Sequence, residues 1–205
     1  MKLRVLVACE FSGTVRDAFR RLGHDAVSCD LLPSDTFGPH YQGDVRDILR
    51  NGWDAMIAHP PCTYLSVSGL HWNTRRPERA QQTEDAISFV QEMLNAPIYF
   101  KAIENPIGVL SSRIRKPDQI IQPWQFGDDA SKATCLWLVN LPPLTPTNVL
   151  AGGKTARRAN QTPSGQNKLG PSPDRWKLRS LTYPGIANAI AAQWSQHIIN
   201  HPLNL

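Results

Sequence analysis

Cys62 and Glu104 are the two side chains of this sequence whose surroundings suggest covalent chemistry. Cys62 lies in HPPCTYLSVSG (59–69), where two prolines fix the backbone φ and hold the thiol on a stiff loop. Glu104 lies in AIENP (102–106), after an apolar run and directly before Asn-Pro. A thiolate is a nucleophile, and a carboxyl group in apolar surroundings has a raised pKa and can donate or share a proton near neutral pH. The other reading of Cys62 is a turn that happens to contain a cysteine.

The elements that must position these residues alternate between apolar runs and amphipathic stretches. This alternation predicts an α/β fold with a mostly parallel sheet flanked by helices. In the first predicted helix, Val15, Phe19 and Leu22 share one face. There is no internal repeat and no second core, so a single domain is expected over residues 1–205. The predicted strands are 3–10, 25–30, 53–59, 98–105 and 134–140, and the predicted helices are 14–23, 77–96 and about 186–199.

Parallel α/β sheets bind ligands beyond the carboxyl ends of their strands, here the loops after residues 9, 29, 58, 103 and 140. Phe11 and Gly13 form a tight turn after the first strand, where the backbone can approach a ligand closely. Asp30 ends the second strand, where a carboxylate can accept hydrogen bonds from ribose hydroxyls. Asp44 precedes the third strand as a candidate partner for an adenine amino group. Each aspartate alone is also explained as a cap or a surface charge. Together, without the later glycines of a dinucleotide fingerprint, these residues predict an adenosyl ligand without a pyrophosphate.

A nucleophile, an acid and an adenosyl site at neighbouring strand ends suggest one reaction. The thiolate of Cys62 adds to C6 of a pyrimidine while Glu104 engages ring N3. The C5 atom then becomes nucleophilic and can take a methyl group from S-adenosylmethionine.

These segments resemble the motifs of the DNA (cytosine-5) methyltransferase family. The middle motifs are the specific ones, whereas the glycine turn is not. EFSG (10–13) is similar to the family's cofactor turn, GDVRDI (43–48) to its adenine-side motif, HPPCTYLSVSG to its Pro-Cys loop, ENPIG (104–108) to its Glu-Asn-Val motif and YPGIANAIAAQW (183–194) to its last motif.

The resemblance covers roughly residues 4–140 and 180–195 and implies a compact, phage-like member with a single-domain Rossmann-like methyltransferase fold. It implies Cys62 as the nucleophile and Glu104 as the acid that binds N3. It also implies S-adenosylmethionine as the cofactor, with these residues around it: Phe11, Gly13, Asp30, Asp44, Pro60 and Gly185.

The chain departs from the family pattern at three places. The Gln-Arg-x-Arg stretch is replaced by DASKATCLWL (129–138), so Lys132 and Thr134 are expected to take over its contacts to the base, with Lys132 at the ring carbonyl. Gly185 is followed by isoleucine rather than asparagine. A basic Gly/Pro-rich loop, about 150–178, stands where the family has its large target-recognition domain, which puts sequence-specific reading of duplex DNA in doubt.

Positive charge is concentrated in that loop. The chain carries a net charge of +5, and seven Lys or Arg residues stand against one acid between residues 154 and 179. The stretch is either a solvated loop or a flexible basic flap over a phosphate-bearing substrate. The predicted partner is DNA, either single-stranded or with the target base flipped out. The predicted phosphate contacts are Arg75, Arg76, Arg157, Arg158 and Lys168.

Other readings stay open. The same chemistry on a free pyrimidine nucleotide such as dCMP would need no recognition domain. An amino-methyltransferase is disfavoured, because such enzymes use an Asn/Asp-Pro-Pro-aromatic loop and the fourth residue here is Cys62. A catalytically inactive relative that binds nucleic acid or a partner methyltransferase is kept open by the altered arginine stretch, although a binding module needs neither Cys62 nor Glu104.

Composition excludes several classes of protein. The hydrophobic fraction of 41% is typical of a globular domain, and no apolar stretch approaches the ~18 residues of a membrane span. The four cysteines lack CxxC or CxxH spacing, so neither a metal site nor a disulfide framework is expected. A cytoplasmic protein with reduced thiols is the expectation, and a homodimer or a partner protein is compatible with the basic loop.

Overall fold

Seven strands form one mixed sheet in the computed structural model, which describes residues 1–202. The strands are β1 (Arg4–Ala8), β2 (Asp25–Asp30), β3 (His40–Gln42), β4 (Ala55–Ala58), β5 (Phe100–Pro106), β6 (Gln119–Ile121) and β7 (Thr134–Val139). Their order across the sheet is β3-β2-β1-β4-β5-β7-β6. The first five strands are parallel, whereas β7 is antiparallel to both of its neighbours.

Helices cover both faces of this sheet. Within residues 1–202 they are α1 (Thr14–Arg21), α2 (Val67–Leu70), α3 (Pro77–Leu94), α4 (Leu110–Arg113), α5 (Arg175–Ser180) and α6 (Pro184–Asn200). None of these helices combines the length and the apolar character needed to span a bilayer.

Side chains that alternate along β1 enter two separate cores. Val5 and Val7 belong to the core beneath α1 and α6, together with Phe19 and Trp194. Leu6 and Ala8 belong to the opposite core, beneath α3. This burial on both faces explains why β1 is a continuous apolar run rather than an alternating pattern.

The strand order is the doubly wound order 3-2-1-4-5-6 with one antiparallel strand, β7, inserted before the last position. The predicted Rossmann-like α/β fold with a mostly parallel sheet flanked by helices is therefore confirmed. The expectation that the loop after residue 140 lies at the ligand-binding edge is wrong. Because β7 pairs antiparallel with β5, its first residue, Thr134, lies at that edge, and its carboxyl end lies at the other.

One detail of the predicted core is wrong, and one buried residue was not predicted. Leu22 is 49% exposed, because it is the C-terminal cap of α1 and lies beyond its last full turn. Arg16 is fully buried instead, and its guanidinium donates to the hydroxyls of Ser28, Ser34 and Thr36.

A single domain over residues 1–205 remains a prediction, and residues 203–205 lie outside the described part. The basic loop predicted over 150–178 contains a short 3-10 turn (Gly153–Thr155), and its end enters α5.

Candidate active site

The loop with Cys62 and the strand with Glu104 are neighbours because β4 and β5 are adjacent parallel strands, with Ala58 paired to Ile103. His59 follows β4 directly, and its Nδ1 lies 3.2 Å from Oε2 of Glu104. Only 8% of the His59 side chain and 17% of the Glu104 side chain are exposed. The carboxyl edge of the sheet therefore joins the predicted nucleophile loop to the predicted acid.

The nucleophile loop is fastened to the chain that follows Glu104. The Asn105 side-chain amide donates to the Pro60 carbonyl at 2.8 Å, and the Val109 N–H donates to the Leu65 carbonyl at 2.8 Å. Gly108 permits this approach, because a Cβ at that position would overlap the Leu65 carbonyl oxygen. The ENPIG segment thus supplies both the acid and the support of the loop.

Arg79 holds the same loop from the side of α3. Its guanidinium donates to the Thr63 carbonyl at 2.8 Å and to the Gly69 carbonyl at 3.2 Å, and it lies 4.8 Å from the centre of the Tyr64 ring. With these contacts on both sides, the thiol of Cys62 is presented on a braced turn rather than on a free loop.

The environment of Glu104 differs from the apolar surroundings that would have raised its pKa. Burial does raise the pKa of this carboxyl, but hydrogen bonds from His59 and Thr134 and the charge of Lys132 lower it by more. As a result, the pKa of Glu104 lies below its ordinary value of 4.5. The condition for a proton-donating acid near neutral pH is therefore not met in the free protein, and Glu104 is ionised there.

A central pocket brings Lys132 and Thr134 to the same place as His59 and Glu104. The antiparallel course of β7 explains this, because the strand starts at the edge where the parallel strands end. Nζ of Lys132 also donates to the Leu181 carbonyl at 3.2 Å, which ties the pocket to the segment before α6. The remaining wall residues are Leu136, Thr182, Tyr183, Ile186 and Ile190.

Cys62 is exposed and lies outside the wall of the central pocket. Desolvation by neighbouring protein atoms and the negative charge of Glu104 raise the pKa of its thiol above the ordinary 9.0, whereas Lys132 lowers it. The thiol is therefore protonated at neutral pH in the free protein. Neutralising Glu104 would favour the thiolate.

The turn predicted at Phe11 and Gly13 is present, with Gly13 at φ +74°. A Cβ at Gly13 would overlap Thr36 and Arg16, so the close approach here is made by the chain itself. Glu10, which the sequence analysis did not single out, accepts hydrogen bonds from the first free N–H groups of α1, among them that of Val15 at 2.7 Å. It acts as the cap of this helix.

Helix α5 covers that turn. Phe11 is only 6% exposed, the Trp176 ring meets it edge-on at 6.5 Å, and Nζ of Lys177 lies 5.0 Å from its centre. Lys177 also forms an ion pair of 2.7 Å with Asp35. The end of the basic loop therefore lies over the predicted cofactor turn, a contact that no local sequence pattern indicated.

The two aspartates predicted to bind the nucleoside differ in how far their carboxylates are already occupied by other protein groups. Asp30 is half-buried at the end of β2; burial raises its pKa, and the hydrogen bond from the Leu32 N–H, 2.9 Å long, opposes that rise. Asp44 accepts from both the backbone and the guanidinium of Arg46, which also binds Glu92 at 2.6 Å. Asp30 can face a ligand as predicted, whereas Asp44 would have to leave Arg46 to do so.

Pro60 and Gly185, the remaining predicted cofactor residues, have packing partners. Pro60 is buried, with its carbonyl bound to Asn105. The Gly185 N–H donates to Asp128 at 2.9 Å, and a Cβ there would overlap the Phe126 carbonyl oxygen. The need for glycine at position 185 is thus explained by the close approach of the Phe126 carbonyl to the first turn of α6.

The residues at this edge fit an adenosyl cofactor in their chemistry. Asp30 offers a half-buried carboxylate to hydroxyl donors, and Phe11 and Trp176 offer aromatic surface. An adenosine beside Phe11 would contact α5 or displace it.

Of the five predicted phosphate contacts, four are exposed, in two places, and one is buried. Arg75 and Arg76 are exposed beside the nucleophile loop and stack on Trp72, with ring distances of 5.6 and 5.2 Å. Arg157 and Lys168 are exposed on the basic loop. Arg158 is only 5% exposed, and its guanidinium is occupied by Trp124, Asp129 and the Gly153 carbonyl, so its described partners are those of a structural residue.

A basic groove lies next to the central pocket. Its lining includes Trp124, Ser131, Lys154, Thr155, Arg157 and Arg158. Ser131 lines the groove and the next residue, Lys132, lines the pocket. Asn160 joins the two walls, because its amide donates to the Ser131 carbonyl at 3.0 Å and to the Tyr183 hydroxyl at 3.3 Å.

Neither a family model nor a curated protein matches this chain. Among solved structures, it matches the Dnmt2 methyltransferase of S. pombe with a TM-score of 0.47 and 17% sequence identity, over 70% of this chain and 51% of that one. The chain thus spans about half the length of that protein. The class of fold is identified by the sheet itself, which is a Rossmann-like doubly wound sheet with an inserted antiparallel strand, β7.

Proposed function

We propose that this chain is an S-adenosylmethionine-dependent methyltransferase that modifies C5 of cytosine through a covalent bond between Cys62 and C6. The observation that carries the proposal is the meeting of the Cys62 loop with Glu104, Lys132 and Thr134 at the carboxyl edge of β4 and β5. A braced thiol beside a buried carboxylate and a lysine is the arrangement that addition to a pyrimidine needs.

The chain's own residues perform the addition and the elimination. Sγ of Cys62 bonds to C6, and the C5–C6 π electrons move to C5 and into the ring, so that N3 becomes basic and C5 nucleophilic. Protonated Glu104 donates its proton to N3, and Lys132 stabilises the negative charge on the ring carbonyl oxygen. S-adenosylmethionine, when bound, supplies the methyl group. The C5 proton then passes to solvent, its electron pair restores the C5–C6 double bond as the Sγ–C6 bond breaks, Cys62 leaves as a thiolate, and N3 returns its proton to Glu104.

Glu104 must acquire a proton for this role. Its pKa lies below the ordinary value in the free protein, so the proton is taken up together with the base. The same uptake removes the negative charge that raises the pKa of Cys62. Binding of the base would therefore prepare the acid and the nucleophile together.

The basic groove favours a polynucleotide over a free nucleotide as the substrate. It adjoins the central pocket through consecutive residues, and Lys154 and Arg157 add exposed positive charge to it. A base in the pocket would leave a neighbouring phosphate in reach of the groove. The base must be single-stranded or flipped out to enter the pocket.

The test is transfer of labelled methyl groups to single-stranded DNA, duplex DNA and dCMP. We expect label at C5 of cytosine in single-stranded DNA, and none with Cys62→Ala. Cys9→Ala, which removes a thiol outside the proposed reaction, serves as the matched control and keeps activity. Label in dCMP alone would contradict the polynucleotide substrate. No label in any substrate, with cofactor bound to a folded protein, would favour the inactive relative.

A further inference from the structure

His59 carries an unexplained polar atom at the centre of the site. Its Nδ1 is in contact with Glu104, but its Nε2 is buried and has no hydrogen-bond partner. Buried polar atoms without partners are rare in proteins and call for an explanation. The sequence favours a structural role for His59 beside Pro60, and the reaction derived above gives it no other.

The partner of Nδ1 decides which hydrogen-bonding role Nε2 plays. An ionised carboxylate can only accept hydrogen bonds, so Nδ1 of His59 must carry the hydrogen toward Glu104. In the neutral imidazole the other nitrogen then has a lone pair and no hydrogen. In that form Nε2 is an acceptor, and no donor of the described residues reaches it.

No donor among the described residues reaches Nε2 of His59. Lys132 donates to the Leu181 carbonyl at 3.2 Å, and the Thr134 hydroxyl lies 3.3 Å from the Lys132 carbonyl. Asn160 is bound to Ser131 and to the Tyr183 hydroxyl. A donor for Nε2 is thus best supplied by a ligand in the central pocket, whose wall includes His59.

We propose that Nε2 of His59 accepts a hydrogen bond from the exocyclic amino group of the bound cytosine, which makes His59 a specificity-determining residue. The proposal rests on the proposed function. In cytosine the amino nitrogen is attached next to N3, the atom that Glu104 engages, and His59 is the direct neighbour of Glu104. Uracil and thymine carry an oxygen acceptor at that position, which would meet the lone pair of Nε2.

The test measures release of tritium from the C5 position, because reversible addition of Cys62 to C6 allows C5 to exchange with water without any methyl transfer. Cytosine and uracil labelled at C5 are compared as the target base of one single-stranded oligonucleotide, and as dCMP and dUMP. Wild-type protein is expected to prefer cytosine. His59→Asn keeps a donor where Nδ1 stands but loses Nε2, so the preference should fall by about tenfold, as for the loss of one hydrogen bond.

His59→Gln is the matched variant, because its longer amide reaches the position of Nε2 instead. It should retain more of the preference than His59→Asn while its pH profile shifts, since the contact to Glu104 is lost. A purely structural His59 would lower both rates equally in both variants and would overturn the inference. So would a wild-type preference for uracil, which indicates a donor at Nε2.

Failure of the proposed function is recognised separately. Wild-type protein that releases tritium from neither base, and behaves like Cys62→Ala, would contradict the addition itself and the inference with it. Release that depends on Cys62, with an unchanged ratio in folded His59→Asn, would overturn the role of His59 alone.

Discussion

Replacing Gly108 with alanine tests whether the ENPIG segment supports the nucleophile loop. An added Cβ would overlap the Leu65 carbonyl oxygen and lie 2.9 Å from the Leu65 carbonyl carbon and 3.1 Å from Cα of Ser66. These neighbours are backbone atoms of the Cys62 loop and cannot rotate away. Position 108 has no left-handed φ, so the effect measures the close approach alone.

The cost follows from this geometry. Relief of the overlap requires the two segments to separate by roughly 1 Å, and overpacking of this kind costs about 1–3 kcal/mol. For a chain of this length that corresponds to a fall in melting temperature of about 3–9 °C. A displacement of about 1 Å at a catalytic group lowers the rate on the order of 100-fold, so tritium release should fall far more than stability explains.

The matched control is Gly170→Ala, because a Cβ at that position meets nothing within 4 Å and the residue has no left-handed φ. It should melt and react like the wild type. Thermal melting and tritium release of both variants decide the question. A Gly108→Ala variant with wild-type melting temperature and rate would refute the proposed support of the Cys62 loop by Gly108.

Three further predictions concern charge. Alkylation of Cys62 by iodoacetamide at pH 7.5 should be severalfold faster in Glu104→Gln, because the pKa of the thiol falls when the negative charge is removed. It should be slower in Lys132→Met, and equal rates in all three proteins would contradict the effect of these charges on the thiol. Arg16→Met should lower the free energy of unfolding by denaturant by about 3 kcal/mol, because three hydroxyls lose the buried guanidinium that donates to them. In the control Arg20→Met, whose side chain is 41% exposed, the loss should be under ~1 kcal/mol. Arg157→Ala should reduce the salt dependence of single-stranded DNA binding by about 0.7 in the log–log slope, and an unchanged slope would remove Arg157 from the phosphate contacts.

The parts of the site that follow from the sequence are those set by local pattern. The apolar runs of β1 and β4 marked the edge at which ligands bind, and the prolines before Cys62 marked a stiff loop there. Because β4 and β5 are adjacent and parallel, the loop with Cys62 and the strand end with Glu104 are neighbours. The parts that did not follow depend on distant segments. The direction of β7, which brings Thr134 to the site, is fixed by its direct pairing with β5, although β6 lies between these strands in the sequence. This direction leaves no trace in the apolar pattern of β7.

Charge state is the least predictable property, because it depends on what each polar group faces after folding. Glu104 follows an apolar strand, which suggests an apolar environment and a raised pKa. Folding instead surrounds it with His59, Thr134 and Lys132, which come from two other segments of the chain and lower the pKa. Burial and the negative charge of the ionised Glu104 raise the pKa of Cys62 and keep its thiol protonated. A free protein with both groups in these states is poorly suited to attack a base, and a ligand that brings a proton to Glu104 changes both. In the proposed reaction, therefore, the base would activate the site that modifies it, and rates of alkylation of Cys62 should rise when a cytosine analogue occupies the pocket without covering the thiol.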